Sequence, residues 1–176
     1  MNDLDLAHAE SSVQIAAVRG LFLEYAQSLG FSLRFQSFDQ ELASLPGDYA
    51  PPTGRLILAS QGVHTAGCVA LHAINNQHCE MKRLYVRPQF RGHGLGKILT
   101  ERIIAEARQI GYTRLRLDTV EPKMKTAVAM YRRLGFSRNR ALSPEPDRRR
   151  TLYGTRTLNA PAHPIVFECS SLTAHC

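Results

Sequence analysis

Apolar residues recur at helical spacing near the start of the chain: Val13, Ala16, Ala17, Leu21 and Tyr25 fall on one face. The spacing predicts a helix over Ser12–Leu29, with Ser11 or Ser12 capping its start and Gly30 stopping it. A shorter helix is expected near Phe38–Ser44, followed by a Pro/Gly-rich loop over 46–52. The pattern then changes period. Residues 55–59 and 67–73 read as strands joined by a turn at Gln61-Gly62. Leu84, Tyr85 and Val86 form a further strand candidate. Beyond them, Leu95, Ile98, Leu99, Ile103, Ala107 and Ile110 return to one helical face, and Gly111 closes that helix. His72 and His78 read as half-exposed sheet residues, because no matching ligand spacing points to a metal.

Between the strand at 84–86 and the long helix runs Arg87-Pro88-Gln89-Phe90-Arg91-Gly92-His93-Gly94-Leu95-Gly96-Lys97. Glycines just ahead of a helix let backbone N–H groups turn toward an anion, and the helix dipole adds partial positive charge there. Arg87, Arg91, His93 and Lys97 surround the turn, so the segment reads as a site for a phosphorylated ligand. A Walker A loop is excluded: Arg91 occupies its first glycine position, and Ile98 follows Lys97 where a magnesium-binding hydroxyl belongs. A dinucleotide fingerprint would need glycine at Lys97, although Asp118 lies near the distance expected of a ribose-binding acid and keeps that alternative open.

What remains is Arg91-x-x-Gly94-x-Gly96 with Val86 and Pro88 upstream. This resembles the acetyl-CoA pyrophosphate loop of the GNAT N-acetyltransferases, Gln/Arg-x-x-Gly-x-Gly/Ala. The resemblance continues downstream: 112–119 looks like that family's fifth strand, and 123–136 like its second signature, a short helix with a tyrosine ending in Leu-Gly-Phe. Upstream, 54–59 and 66–72 look like the hairpin before the cofactor strand. The likeness is close over 54–136 and looser over 10–50.

The resemblance implies an α/β (α+β) fold, with a mixed, mostly antiparallel central sheet flanked by helices and split between the fourth and fifth strands. It implies acetyl-CoA as acyl donor, with pantetheine pairing to the backbone of Leu84, Tyr85 and Val86. The pyrophosphate would lie on Arg91, Gly92, His93, Gly94, Leu95, Gly96 and Lys97. Tyr131 matches the signature tyrosine near the CoA sulfur and becomes the candidate general acid; its plainer role is an aromatic packed under the sheet. Glu80 stands where relatives often place a carboxylate facing the acceptor, and is the candidate base or a solvated strand-end charge. Met124 occupies a position where many relatives have asparagine. Residues 31–53 would cover the acceptor side or simply cap the core. The implied reaction is direct acetyl transfer to a primary amine of a small molecule or protein. A catalytically silent acyl-CoA-binding or regulatory module is the alternative.

Composition narrows the rest. A chain of 176 residues with 44% hydrophobic content suits a single domain over 1–176. No run approaches the ~18–20 apolar residues of a membrane span. The acidic N-terminus lacks a signal pattern, and Cys68, Cys79, Cys169 and Cys176 form no CxxC pair, so a reduced cytoplasmic setting without a metal is expected. The net charge of +7 is divided. Residues 1–50 hold seven acids and two bases, and nine bases fall between Lys82 and Arg116. Cofactor attraction accounts for the basic stretch better than nucleic acid, for which no binding motif is present. The acids Glu24, Asp39, Glu41 and Asp48 are expected on the acceptor side, favouring a cationic amine. An exposed insertion is expected at 138–155 within an Arg/Pro-rich stretch, with 164–169 as the last strand, and a homodimer stays open.

Overall fold

A computed structural model describes residues 4–29, 37–120, 124–138 and 151–158. Its strands are β1 (Leu4–His8), β2 (Arg55–Gln61), β3 (His64–Ala73), β4 (His78–Val86), β5 (Arg114–Val120), β6 (Ser137–Arg138) and β7 (Thr151–Thr157). The helices are α1 (Ser12–Leu29), α2 (Phe38–Ser44), α3 (Leu95–Ile110) and α4 (Lys125–Arg133). The strands form one sheet in the order β1-β2-β3-β4-β5-β7-β6. Every neighbouring pair is antiparallel except β4–β5, which is parallel. The mixed, mostly antiparallel sheet expected from the sequence is therefore present.

Each face of the sheet buries a different helix layer. On one face Leu95, Leu99, Ile103 and Ala107 of α3 pack on Ile57, Val69, Leu71, Met81, Leu115 and Leu117. On the other, Val18, Leu21 and Phe22 of α1 and Phe38 of α2 pack on Leu56, Leu58, Cys68, Ala70 and Tyr85. Two residues assigned to core stripes are on the surface instead: Val13 is 77% exposed and Ile98 37%. Helix α1 carries apolar residues on most of its circumference, so periodicity alone did not single out the Ile15–Val18–Phe22 face that is buried.

Two further differences concern the ends. Residues 4–8, within the acidic N-terminus for which the sequence suggests no element, form an edge strand paired with β2. Thr151–Thr157 pairs with β5 over its whole length, from Arg114↔Thr157 to Val120↔Thr151. Residues 151–155 are thus sheet, not excursion; Thr and Tyr residues among the arginines supply the β propensity that the Arg/Pro-rich composition obscured. Residues 139–150 and the strand expected at 164–169 lie outside the described residues.

One buried charge ties the layers together. Glu106, on α3 and 4% exposed, accepts hydrogen bonds from His8 of β1 (2.9 Å), Arg55 of β2 (2.8 Å) and Arg102 (2.7 Å). Burial by itself would raise its carboxyl, but these three partners outweigh it and bring the group down to about 2. A depressed folded-state value means stability that is present at neutral pH and lost as pH falls from about 4.5 toward about 2. Glu106→Ala leaves Arg55 and Arg102 without their anion and His8 without its acceptor, and is expected to lower unfolding free energy by about 3–5 kcal/mol. Urea titrations at pH 7 and pH 3 check this: the wild-type advantage should shrink at the lower pH.

Candidate active site

The site begins with a phase slip in β4. Cys79 and Met81 face the α3 layer, while Glu80 and Lys82 face the α1/α2 layer, as strict alternation requires. Arg83 then adopts φ 56°, and the β3–β4 register slips so that Cys68 faces Tyr85 while Ala70 faces Lys82. One extra residue on β4 makes this a bulge. The bulge keeps Arg83 and Tyr85 on the α1/α2 side, and Leu84 and Val86 return to the α3 side. Arg83 is 5% exposed, donates Nε (2.9 Å) and an Nη to Glu41, and lies 5.2 Å over the Phe38 ring. The Cys68 thiol donates to the Arg83 carbonyl at 3.6 Å.

The sheet opens as β4 enters the bulge. The β4–β5 pairing runs from His78↔Arg114 to Met81↔Leu117 and goes no further. Lys82–Val86 therefore continues against β3 alone, and its β5-facing edge is not used by the sheet. Leu84, Tyr85 and Val86 lie at this edge. Tyr85 is held by an edge-on contact with Tyr25 of α1 at 6.1 Å.

The loop after β4 supplies a backbone cradle. Gly92 (φ 85°) and Gly94 (φ 81°) take the left-handed conformation that glycine adopts without a steric cost. Gly94 caps α3 with no side-chain hydrogen bond, so the first-turn N–H groups of Leu95, Gly96 and Lys97 are left for another acceptor. A Cβ added at Gly92 or Gly94 would meet no atom within 4 Å, whereas one at Gly96 would lie 3.9 Å from Met130 Sδ and 4.0 Å from Val86 Cγ2. The open cradle thus lies where β4, α3 and α4 converge. Arg91 donates Nε to the Val86 carbonyl (2.9 Å) and stands 5.8 Å over Tyr85, joining cradle to strand. His93 is exposed, and Lys97 is 3.7 Å from Glu101.

Tyr131, on α4, is 7% exposed and packs edge-on against Phe136 at 5.7 Å. Burial pushes its phenol well above the ordinary value, and Tyr25 from the opposite layer adds to the rise. The hydroxyl is accordingly protonated throughout the neutral range. Met124, at the start of α4, receives the Thr119 hydroxyl at its sulfur (3.3 Å) and packs on the α1-side core, where an asparagine would have offered an amide.

Glu80 lies on the other side of the opening. Its Oε2 is 2.8 Å from His72 Nε2 and 3.8 Å from Lys82 Nζ. A carboxylate only accepts, so His72 Nε2 carries the proton. Burial would raise the Glu80 carboxyl, but the His72 hydrogen bond and the Lys82 charge prevail and hold it below the usual range. Tyr49 meets His72 edge-on at 6.0 Å and donates its hydroxyl to Glu41.

Glu24 and Glu41 do not wait for a cationic substrate. Glu24 accepts from Arg87 Nε at 3.0 Å and Nη2 at 2.7 Å, and Glu41 is committed to Arg83 and Tyr49. Two of the four acids expected on the acceptor side, Glu24 and Glu41, are thus paired with arginines of the basic 82–116 region. Sequence reading also passed over Arg83, Tyr25 and the His72–Glu80 pairing. The slip in alternation within Met81-Lys82-Arg83-Leu84 was the available signal for the first.

The fold that carries this site is shared with known proteins. A model of the acetyltransferase (GNAT) family matches residues 18–136. An uncharacterised N-acetyltransferase of Schizosaccharomyces pombe is 43% identical over 118 residues, covering 66% of this chain and 72% of its own. An acetyltransferase from Streptococcus agalactiae superposes with a TM-score of 0.73 at 22% identity, covering 90% of this chain and 100% of that one. A GNAT family acetyltransferase from Elizabethkingia anophelis with acetyl-CoA bound gives 0.65 at 21% identity, over 90% and 100% of the two chains. The chain belongs to the GNAT acetyltransferase family. It is an acyltransferase, and acetyl-CoA is the cosubstrate of its family. Among the described residues no group of His, Cys, Asp or Glu is placed to hold a metal ion, and no helix is long and apolar enough to cross a membrane.

Proposed function

We propose that this protein transfers the acetyl group of acetyl-CoA directly to a primary amine. The observation that carries the reading is the coincidence of two features at Gly96: the β4 edge freed by the split, and the uncapped N-terminus of α3. The first suits an extended amide-bearing arm, which pairs as a strand would. The second suits a pyrophosphate. Leu84, Tyr85 and Val86 take the arm, and residues 91–97 take the phosphates.

Acyl transfer needs a neutral amine, a polarised carbonyl and a protonated leaving group. In this reading the amine enters on the α1/α2 side and attacks the thioester carbon. The C–N bond forms, the C–S bond breaks, and the sulfur takes the Tyr131 proton. The proton lost from nitrogen returns through water to the phenolate. Glu80 is the carboxylate on the amine's side; with its affinity for protons lowered, it acts as an ionised partner that draws the ammonium in and passes its proton to water. A covalent acetyl-enzyme relay finds no support in the described thiols. Burial raises the Cys68 thiol far above its ordinary value and pushes that of Cys79 up to about 12, so neither supplies a thiolate at neutral pH.

Steady-state release of free CoA, measured with a panel of primary amines, tests the reading. Amine-dependent, saturable release is the expected result. Tight acetyl-CoA binding with no amine raising the release would favour a silent acyl-CoA-binding module instead.

A further inference from the structure

The acceptor side of the split carries four alternating charges. Glu80 and Arg116 are register partners across β4 and β5. Two residues along each strand, where pairing has stopped, come Lys82 and Asp118, on the same face. Glu80 is near Lys82 (3.8 Å) and bonded to His72. Arg116 and Asp118 differ from these: neither makes a hydrogen bond or a close ion pair with any described residue. Asp118 is solvent-exposed and follows directly on Leu117, the last β5 residue paired with β4. The protein around it and the charge of Glu80 raise its carboxyl to about 6, while Lys82 and Arg116 pull the other way. Two carboxylates at one opening, one with lowered and one with raised proton affinity, are thus interleaved with two cations.

Fixed alternating charges select by charge pattern. A simple monoamine or diamine satisfies the carboxylates and leaves Lys82 and Arg116 facing its own positive charge. A ligand with an ammonium and an oxyanion a few bonds apart satisfies both signs at once. The two acids that would otherwise have added negative field, Glu24 and Glu41, are already neutralised by Arg87 and Arg83. We infer that the acceptor is a small zwitterionic amine, its ammonium received by Asp118 and Glu80 and its carboxylate or comparable oxyanion by Arg116 and Lys82. A free amino acid is the simplest member of this class. The inference rests on the acetyl-transfer reading and names the substrate class for that same site. Asp118 joins Glu80 in receiving the ammonium, whose proton leaves to water before attack.

The test compares free amino acids with their amides and with diamines, by CoA release at saturating acetyl-CoA. The free acids should exceed their amides by about 10–100-fold in kcat/KM, the worth of a charge-assisted hydrogen bond. Arg116→Gln should erase most of that ratio by lowering activity on the acids alone, with the acetyl-CoA KM unchanged. Asp118→Asn should depress acids and amides together. Amides or diamines that match or exceed the acids would overturn the inference while leaving acetyl transfer intact, as would an unchanged acid-to-amide ratio in Arg116→Gln. A protein that binds acetyl-CoA and turns over no amine would overturn the transfer reading and this inference with it.

Discussion

Acetyl-CoA binding should be lost in Gly94→Val. The open space over Gly94, where an added Cβ meets nothing within 4 Å, is the space a phosphate needs to reach the first-turn N–H groups of α3. A branched side chain fills it and also disfavours φ 81°, which aims those groups outward. The backbone strain costs about 1–2 kcal/mol of stability in its own right. Gly111→Val separates the two effects. Gly111 sits at φ 101° at the other end of α3, also with open space around it, so the variant carries comparable strain far from the cradle. Calorimetry should find no acetyl-CoA binding for Gly94→Val and near wild-type affinity for Gly111→Val. Equal affinity in both would remove the pyrophosphate from this loop.

The second large effect is expected at Tyr131. If its phenol protonates the departing thiolate, Tyr131→Phe removes the proton and little else, because the ring's contact with Phe136 survives. General acid catalysis contributes ~10²–10⁴-fold, so kcat should fall at least about tenfold while the acetyl-CoA Kd is nearly unchanged. The group's raised proton affinity makes a second statement: no basic limb from Tyr131 should appear in the neutral range, since the phenol ionises far above it. A phenylalanine variant with full turnover would return Tyr131 to a packing role.

The parts of this site that were legible in the sequence are the local ones. A strand, a glycine turn and a helix in succession are written in consecutive residues, 84–110, and their conformations follow from glycine's freedom and helical periodicity. Helix α1 and the hairpin at Gln61-Gly62 were readable for the same reason. The ion pairs were not: Arg83–Glu41 and Arg87–Glu24 join residues 42 and 63 positions apart, and no local pattern tells a solvated acid from one committed to a distant arginine. The depth of the split was also hidden, since it depends on where the β4–β5 register ends. The bulge at Arg83 sits between these cases. It shows as a break in alternation, but only the register gives that break its consequence for which face Tyr85 occupies. β7 is obscured by the Arg/Pro-rich composition around it, although Thr and Tyr alternate along 151–157.

The central claim, direct acetyl transfer from acetyl-CoA to an amine, is tested most directly by following the acetyl carbon itself. Acetyl-CoA carrying ¹³C at the carbonyl, incubated with the protein and an amine acceptor, should convert from a thioester signal to an amide signal in the NMR spectrum. Free CoA should appear in equal amount, and intact-mass analysis of the protein should show no acetyl adduct that precedes product. Label that ends as acetate, remains as thioester, or accumulates on the protein before reaching the amine would contradict the account.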